Sequence, residues 1–147
     1  MENYSKVEIL IVEDNPNDAE MALRALKKNK LANNVLVVGD GEEALNFIFA
    51  RGKFSDRGKN NRPKIILLDL KLPKVNGLEV LKEIKSNEQT KIIPVIVMTS
   101  SKQETDLIES YRLGVNSYIV KPVDFDKFVD AVRDLGLHWL LLNQQPE

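Results

Sequence analysis

Five short apolar runs, each closed by a polar or turn residue and each followed by a stretch of helical period, constrain this chain more than any other feature of its sequence. The runs are Glu8 to Val12, Val35 to Val38, Ile65 to Leu68, Pro94 to Met98 and Tyr118 to Val120. They are rich in β-branched residues and too short for helices, so they read as strands. Between them, apolar residues recur every three or four positions. The first such segment opens on Asn15-Pro16, a helix cap followed by proline at the first helical position, and carries Ala19, Ala22, Leu23 and Leu26. The second follows Gly39-Asp40-Gly41 and carries Ala44, Leu45, Ile48 and Phe49; the third carries Leu78, Leu81, Ile84 and Lys85, with Lys82 and Glu83 facing water. The fourth carries Leu107, Ile108, Tyr111 and Leu113, and the fifth Phe125, Phe128, Val129, Val132 and Leu135. Near-continuous apolar strands are buried on both faces, so the pattern predicts an α/β fold with an open parallel sheet covered by helices on each side. Five units are too few to close an eight-unit barrel. The expected architecture is a doubly wound, flavodoxin-like three-layer sandwich with right-handed crossovers and strand order 2-1-3-4-5.

The 147 residues, 43% of them hydrophobic, suffice for one domain with a real core, expected to span about residues 7 to 142 and to leave no room for a separate output domain. A formal net charge of -1 offers no general field for nucleic acid or an anionic membrane. No apolar stretch approaches the roughly 20 residues that span a bilayer. With no cysteine and one histidine, His138, the chain has neither a disulfide framework nor a zinc constellation. Cytoplasmic localisation is expected, and any metal must bind oxygen.

In such a sheet, ligands bind at the carboxyl ends of the strands. There the sequence places Glu13 and Asp14 after the first strand, Asp69 after the third, Thr99 after the fourth and Lys121 after the fifth. An acidic site with one hydroxyl and one ammonium suits a carboxylate that accepts a phosphoryl group. Transfer of such a group spreads negative charge over its oxygens, so catalysis is mostly positioning and neutralisation. Asp69 reads as the nucleophile. Mg²⁺ takes a few carboxylates together with waters and substrate oxygens, which Asp14, Asp69, Glu13 and the backbone carbonyl of Lys71 are suited to supply. Lys121 pairs with Asp69 before transfer and with the phosphoryl oxygens after it, and the Thr99 hydroxyl moves to bond one of them. Singly, each residue has an ordinary reading: Asp69 as a turn residue, Glu13-Asp14 as caps beside Asn15, Thr99 as a strand-end hydroxyl, Lys121 as a solvated lysine. Their recurrence at strand ends in order carries the argument.

Glu13-Asp14, Asp69, Leu72-Pro73, Gly77, Thr99 and Lys121-Pro122, with 30 residues from Asp69 to Thr99 and 22 from Thr99 to Lys121, resemble the receiver domains of two-component response regulators from Val7 to about Leu142. The insertion after the second helix and the Trp139-containing C-terminal extension look like the stand-alone regulators that pair with bacterial phytochrome kinases. The resemblance implies a single-domain, Mg²⁺-dependent phosphoacceptor rather than an enzyme acting on other molecules. Its donor would be the phosphohistidine of a sensor histidine kinase, and its partner a downstream protein target or phosphotransfer protein. It also implies a cis Lys121-Pro122 peptide and a switch in which Tyr118 turns inward as Thr99 moves, altering the surface of the fourth helix, fifth strand and fifth helix. At the positions that flank the attacking water stand Lys71 and Ser101, neither of which orients water strongly, so slow self-hydrolysis is expected.

Two further segments stand out. Arg51 to Lys64 reads as a long basic loop, a solvated insertion or a kinase contact, and the apolar C-terminal stretch with Leu137, Trp139, Leu140, Leu141 and Leu142 suggests a homodimer through the fourth and fifth helices. Other functions fit less well. A magnesium-dependent phosphatase needs an acid two residues after its nucleophile, where this chain has Lys71, and a flavodoxin-like binding module needs a phosphate-cradling loop where Glu13-Asp14-Asn15-Pro16 presents negative charge. A phosphorylation-independent interaction module is the alternative that stays open.

Overall fold

The computed structural model describes residues 7–28, 34–57, 62–100, 105–115 and 117–134. Among the described residues, five strands alternate with five helices: β1 (Ile9–Val12), α1 (Pro16–Lys28), β2 (Val35–Val38), α2 (Gly41–Ile48), β3 (Ile65–Asp69), α3 (Gly77–Ser86), β4 (Val95–Thr99), α4 (Thr105–Arg112), β5 (Ser117–Val120) and α5 (Phe125–Asp134). All strand pairs are parallel, in the order β2-β1-β3-β4-β5, the doubly wound topology expected from the sequence.

Successive side chains of a strand point to opposite faces, so each buried strand feeds two cores. Leu10, Val12, Ile66, Leu68, Val95 and Val97 pack against Ala44, Phe47 and Ile48 of α2 and Val80, Leu81 and Ile84 of α3. On the other face Ile9, Ile11, Ile65, Leu67, Ile96, Met98 and Ile119 meet Ala22 and Leu26 of α1 and Phe128, Ala131 and Val132 of α5. Burying whole strands in this way fixes their register, because a one-residue slip would exchange the two cores. The helix starts are capped locally. Asn15 Oδ1 accepts the N–H groups of Asn17 and Asp18 at 2.9 and 3.1 Å. Asp40 Oδ1 accepts from Glu43 N at 2.7 Å, capping α2, while Glu43 Oε1 accepts from the N–H of Gly39, the residue before the cap, at 3.2 Å.

Several local expectations are corrected. In α2 the inward face is Ala44, Phe47 and Ile48, whereas Leu45 and Phe49 are only half-buried; in α3 Val80 is buried and Leu78 half-buried. In α4, Ile108 and Tyr111 are 55% and 43% exposed, and Ser110 is the buried residue. Part of the basic segment is not a solvated loop. Gly52–Arg57 forms a 3-10 turn whose Phe54 packs edge-on to Phe47, with ring centroids 5.2 Å apart. Arg57 is buried, donating Nε to Phe47 O at 2.8 Å and Nη2 to Ile48 O at 2.9 Å. It thus donates to two carbonyls at the C-terminus of α2, where a cation also favours the helix dipole. Ser101, the end of the C-terminal stretch from Leu135 to Leu142, His138 and the side chain of Leu107 lie outside the described residues.

The loop after β3, residues 70–76, is seated by two glycines. A Cβ at Gly77 would lie 2.3 Å from Asp69 O and 2.4 Å from Leu70 Cα, and one at Gly41 would lie 1.7 Å from Val75 O. Each contact is with backbone, which has no rotamer to yield. Gly41→Ala is therefore expected to destabilise the protein by about 1–3 kcal/mol, seen as a lower urea midpoint at unchanged m-value; an unshifted midpoint would show that the loop moves away without cost.

Candidate functional site

Register brings the predicted residues together. Val12 pairs with Leu68, so Glu13 follows β1 beside Asp69 at the end of β3. Asp69 pairs with Met98, next to the buried Thr99, and Thr99 pairs with Val120, one residue before Lys121. The Lys121 N–H donates to Thr99 O at 2.8 Å, closing the sheet at this corner. The Lys121-Pro122 peptide is cis. Lys127 Nζ, on α5, donates to Val120 O at 3.0 Å and Pro122 O at 3.1 Å, tying the helix to the same corner.

The centre of the site is the Lys121 ammonium. Its Nζ lies 2.7 Å from Asp69 Oδ2, 2.7 Å from Glu13 Oε1 and 3.1 Å from Asp18 Oδ2. Asp69 Oδ1 accepts from Lys71 N at 3.0 Å, so the nominated acceptor has one oxygen on the turn and one on the ammonium. Glu13 Oε2 accepts from Asn15 N at 3.1 Å. Burial raises the Glu13 carboxyl from 4.5 to about 7; Asp69 beside it adds to the rise, while Lys121 and the Asn15 N–H oppose it. Burial disfavours the charge on Lys121, but the hydrogen bonds and charges of Asp69 and Glu13 outweigh it and hold the ammonium above its ordinary range. Lys121 is therefore a fixed positive charge at neutral pH.

Glu13, Asp14 and Asp69 each offer a carboxylate oxygen, and these oxygens lie within 4.8 Å of one another. Asp14 is exposed and open to solvent, and Glu13 Oε1 is buried against the Lys121 ammonium. All-oxygen donors with an open side fit a hard divalent ion that keeps several waters. Lys71 follows in the turn with its side chain exposed. Tyr118 lies on β5, half-buried against the α2–α3 core and edge-on to Tyr111 of α4, with centroids 6.2 Å apart at 86°.

Asp18 is the site residue that sequence reasoning missed. In the first turn of α1 it reads as an ordinary acid favoured by the helix dipole. The available signal was the Asn15 cap: it fixes the start of α1 immediately beyond Glu13-Asp14, which brings a residue one turn on back over the strand ends.

Comparison with known proteins agrees with this geometry. The family described as "Response regulator receiver domain" matches residues 9–133. Response regulator Rcp1 of Synechocystis is 39% identical over 132 residues, covering 90% of this chain and 88% of that protein. Among solved structures, the bacteriophytochrome response regulator RtBRR is 52% identical with a TM-score of 0.82, covering 88% of this chain and 78% of that one. The Mn(2+)-bound form of Rcp1 is 38% identical with a TM-score of 0.73, covering 91% and 94%. The chain belongs to the response regulator receiver domains, the signalling proteins of two-component systems.

Proposed function

We propose that the protein is a single-domain response regulator in which Asp69 accepts a phosphoryl group from the phosphohistidine of a sensor histidine kinase. The observation that carries this reading is the Lys121 ammonium, 2.7 Å from both Asp69 and Glu13 and adjacent to the acidic cluster. An Asp69 carboxylate oxygen attacks phosphorus in line, the bond from phosphorus to the imidazole nitrogen breaks, and the imidazole leaves with the bonding pair. Lys121 exchanges its contact with Asp69 for one with a phosphoryl oxygen, and the Thr99 hydroxyl hydrogen-bonds another. Asp14 and Asp69 directly, Glu13 through water and the Lys71 carbonyl would hold Mg²⁺, which would supply the positive charge that lets an anionic donor approach a carboxylate. Likeness to bacteriophytochrome response regulators supports a phytochrome-type kinase as the donor. Output is a changed interaction surface on α4, β5 and α5, with Tyr118 as the moving side chain. The exposed Ile108 and Tyr111, and a groove of about 420 Å³ lined by Tyr111, Tyr118, Lys127, Asp130 and Asp134, support a protein partner there, either a target or a second copy of the chain.

Three outcomes follow. Incubation with acetyl phosphate and Mg²⁺ gives one phosphoryl adduct by intact mass, absent without Mg²⁺ and in Asp69→Asn; no adduct in the wild type, with a kinase donor also failing, would favour a phosphorylation-independent interaction module. Tyr118→Ala retains the adduct but narrows the difference in partner affinity between the phosphorylated and unphosphorylated forms, and an unchanged difference measured by calorimetry would remove Tyr118 from the switch. The third concerns pH. Between 4.5 and about 7 the unfolded chain releases a Glu13 proton that the folded protein keeps. The folded state then binds more protons, so Glu13 makes stability fall as pH rises through this window in the metal-free protein. In chelator-treated protein the thermal midpoint of Glu13→Gln should gain on the wild type from pH 5 to pH 7.5. A constant difference would contradict the raised carboxyl.

A further inference from the structure

Asp18 has no part in the transfer steps above, yet its carboxylate touches the ammonium those steps use. The fold puts it there. Asn15 Oδ1 fixes the Asp18 N–H at 3.1 Å, and Asp18 Oδ2 accepts a hydrogen bond from Lys121 Nζ at 3.1 Å across 103 residues of sequence. Of the three carboxylates on that ammonium it is the outermost, with a side chain 34% exposed against 8% for Asp69 and 1% for Glu13. Of these three it is the one most open to a donor arriving from solvent.

The charge balance gives that position a consequence. Glu13, Asp14, Asp18 and Asp69 can carry four negative charges opposite Lys121. A bound divalent ion still leaves the site net negative, and every phosphodonor is an anion. Without Asp18 the ionised site would be neutral once the ion is bound. Asp18 also competes with an incoming phosphoryl oxygen for the same N–H donors, because an ammonium has three of them and three carboxylates already surround it.

We infer that Asp18 determines phosphodonor specificity: a rim carboxylate that disfavours free, small, dianionic phosphodonors and so reserves Asp69 for a donor whose binding free energy comes from protein docking elsewhere. The inference rests on the reading of Asp69 as phosphoacceptor. With a small donor such as acetyl phosphate, an oxygen of Asp69 bonds to phosphorus, the bond from phosphorus to the bridging oxygen breaks and acetate departs with the electron pair. Asp18 takes no covalent part and acts through repulsion and through Lys121.

The test compares wild type, Asp18→Asn and Asp18→Glu with two donors of different charge, acetyl phosphate as a dianion and phosphoramidate as a monoanion near neutral pH. Asparagine keeps the size of aspartate and its ability to accept from Lys121, so the substitution removes charge alone. Asp18→Asn should raise the second-order rate constant with acetyl phosphate about three- to fivefold, through KM rather than the maximal rate, and that with phosphoramidate by less. The gap between donors should shrink at 1 M salt, where screening acts within about 3 Å, and Asp18→Glu should restore the wild-type ratio. Independently of transfer, inorganic phosphate titrated into the metal-free protein and followed by amide NMR shifts should bind Asp18→Asn more tightly than wild type. Equal rate changes for the two donors, or phosphate binding that does not respond to the substitution, would overturn the inference while leaving Asp69 as acceptor. A wild type that forms no adduct with any donor, kinase included, would overturn both.

Discussion

One ammonium holds this site together, and it is outnumbered. Lys121 from the end of β5 reaches Glu13 after β1, Asp69 at the end of β3 and Asp18 in α1, so a single charge ties three elements of the fold to a fourth. Carboxylates at adjacent strand ends repel one another, and burial adds a desolvation cost that Glu13 meets by holding its proton up to about pH 7. A cluster chosen for stability alone would not be built this way. The excess negative charge suits the proposed function, in which a divalent ion would offset it and a phosphoryl group would bring acceptor oxygens to the same ammonium. Lys121 is the part of the final arrangement that the fold supplies in advance.

The sheet makes such an arrangement sustainable. Strands buried on both faces have one register, and register alone sets Glu13 beside Asp69 and Lys121 beside Thr99. The helix caps and glycine contacts then aim the loops. Asn15 fixes the first turn of α1 over the strand ends, and Gly41 and Gly77 let the loop after β3 lie directly on the backbone of its neighbours. Repulsion among the acids is borne by elements whose positions are set by apolar packing on both sides of the sheet.

This division explains what was legible in the sequence. Strand identity and order follow from apolar runs, and the candidate site residues Glu13, Asp14, Asp69, Thr99 and Lys121 could be named because each stands within two residues of the end of such a run, where parallel topology leaves little freedom. β4 was read one residue early: Pro94 lacks an N–H but its carbonyl accepts from Ile66 N at 3.0 Å, so it abuts the strand without belonging to it. Asp18 and Arg57 were not legible as partners, because their roles depend on side chains crossing between elements. Arg57 sits among Gly52, Lys53 and Asp56, a composition that reads as solvated, and only the fold shows that it donates to carbonyls at the buried end of α2. In α4 the helical period was right and Leu113 packs against the core as expected, but Ile108 and Tyr111 are partly exposed. Apolar residues at helical spacing normally face a core, and here Ile108 and Tyr111 face outward over a buried Ser110.

That outward face bears on how the site and the surface are connected. Tyr118, Ile119 and Val120 are three consecutive residues ending at Lys121, and their side chains alternate between the two faces of the sheet. Tyr118 meets Tyr111 of α4, Ile119 enters the core beneath α5, and the Val120 carbonyl is held by Lys127 of α5. A shift of Lys121 toward a new oxygen partner pulls on a strand end that both helices touch. The two helices present different faces: α5 is anchored by Phe128, Ala131 and Val132 in the core and by Lys127 at the corner, whereas α4 leaves Ile108 55% and Tyr111 43% exposed. On the proposed reading of Asp69, a shift at the end of β5 reaches the partly exposed face of α4 through the contact of Tyr118 with Tyr111, which places that face to report events at the acceptor.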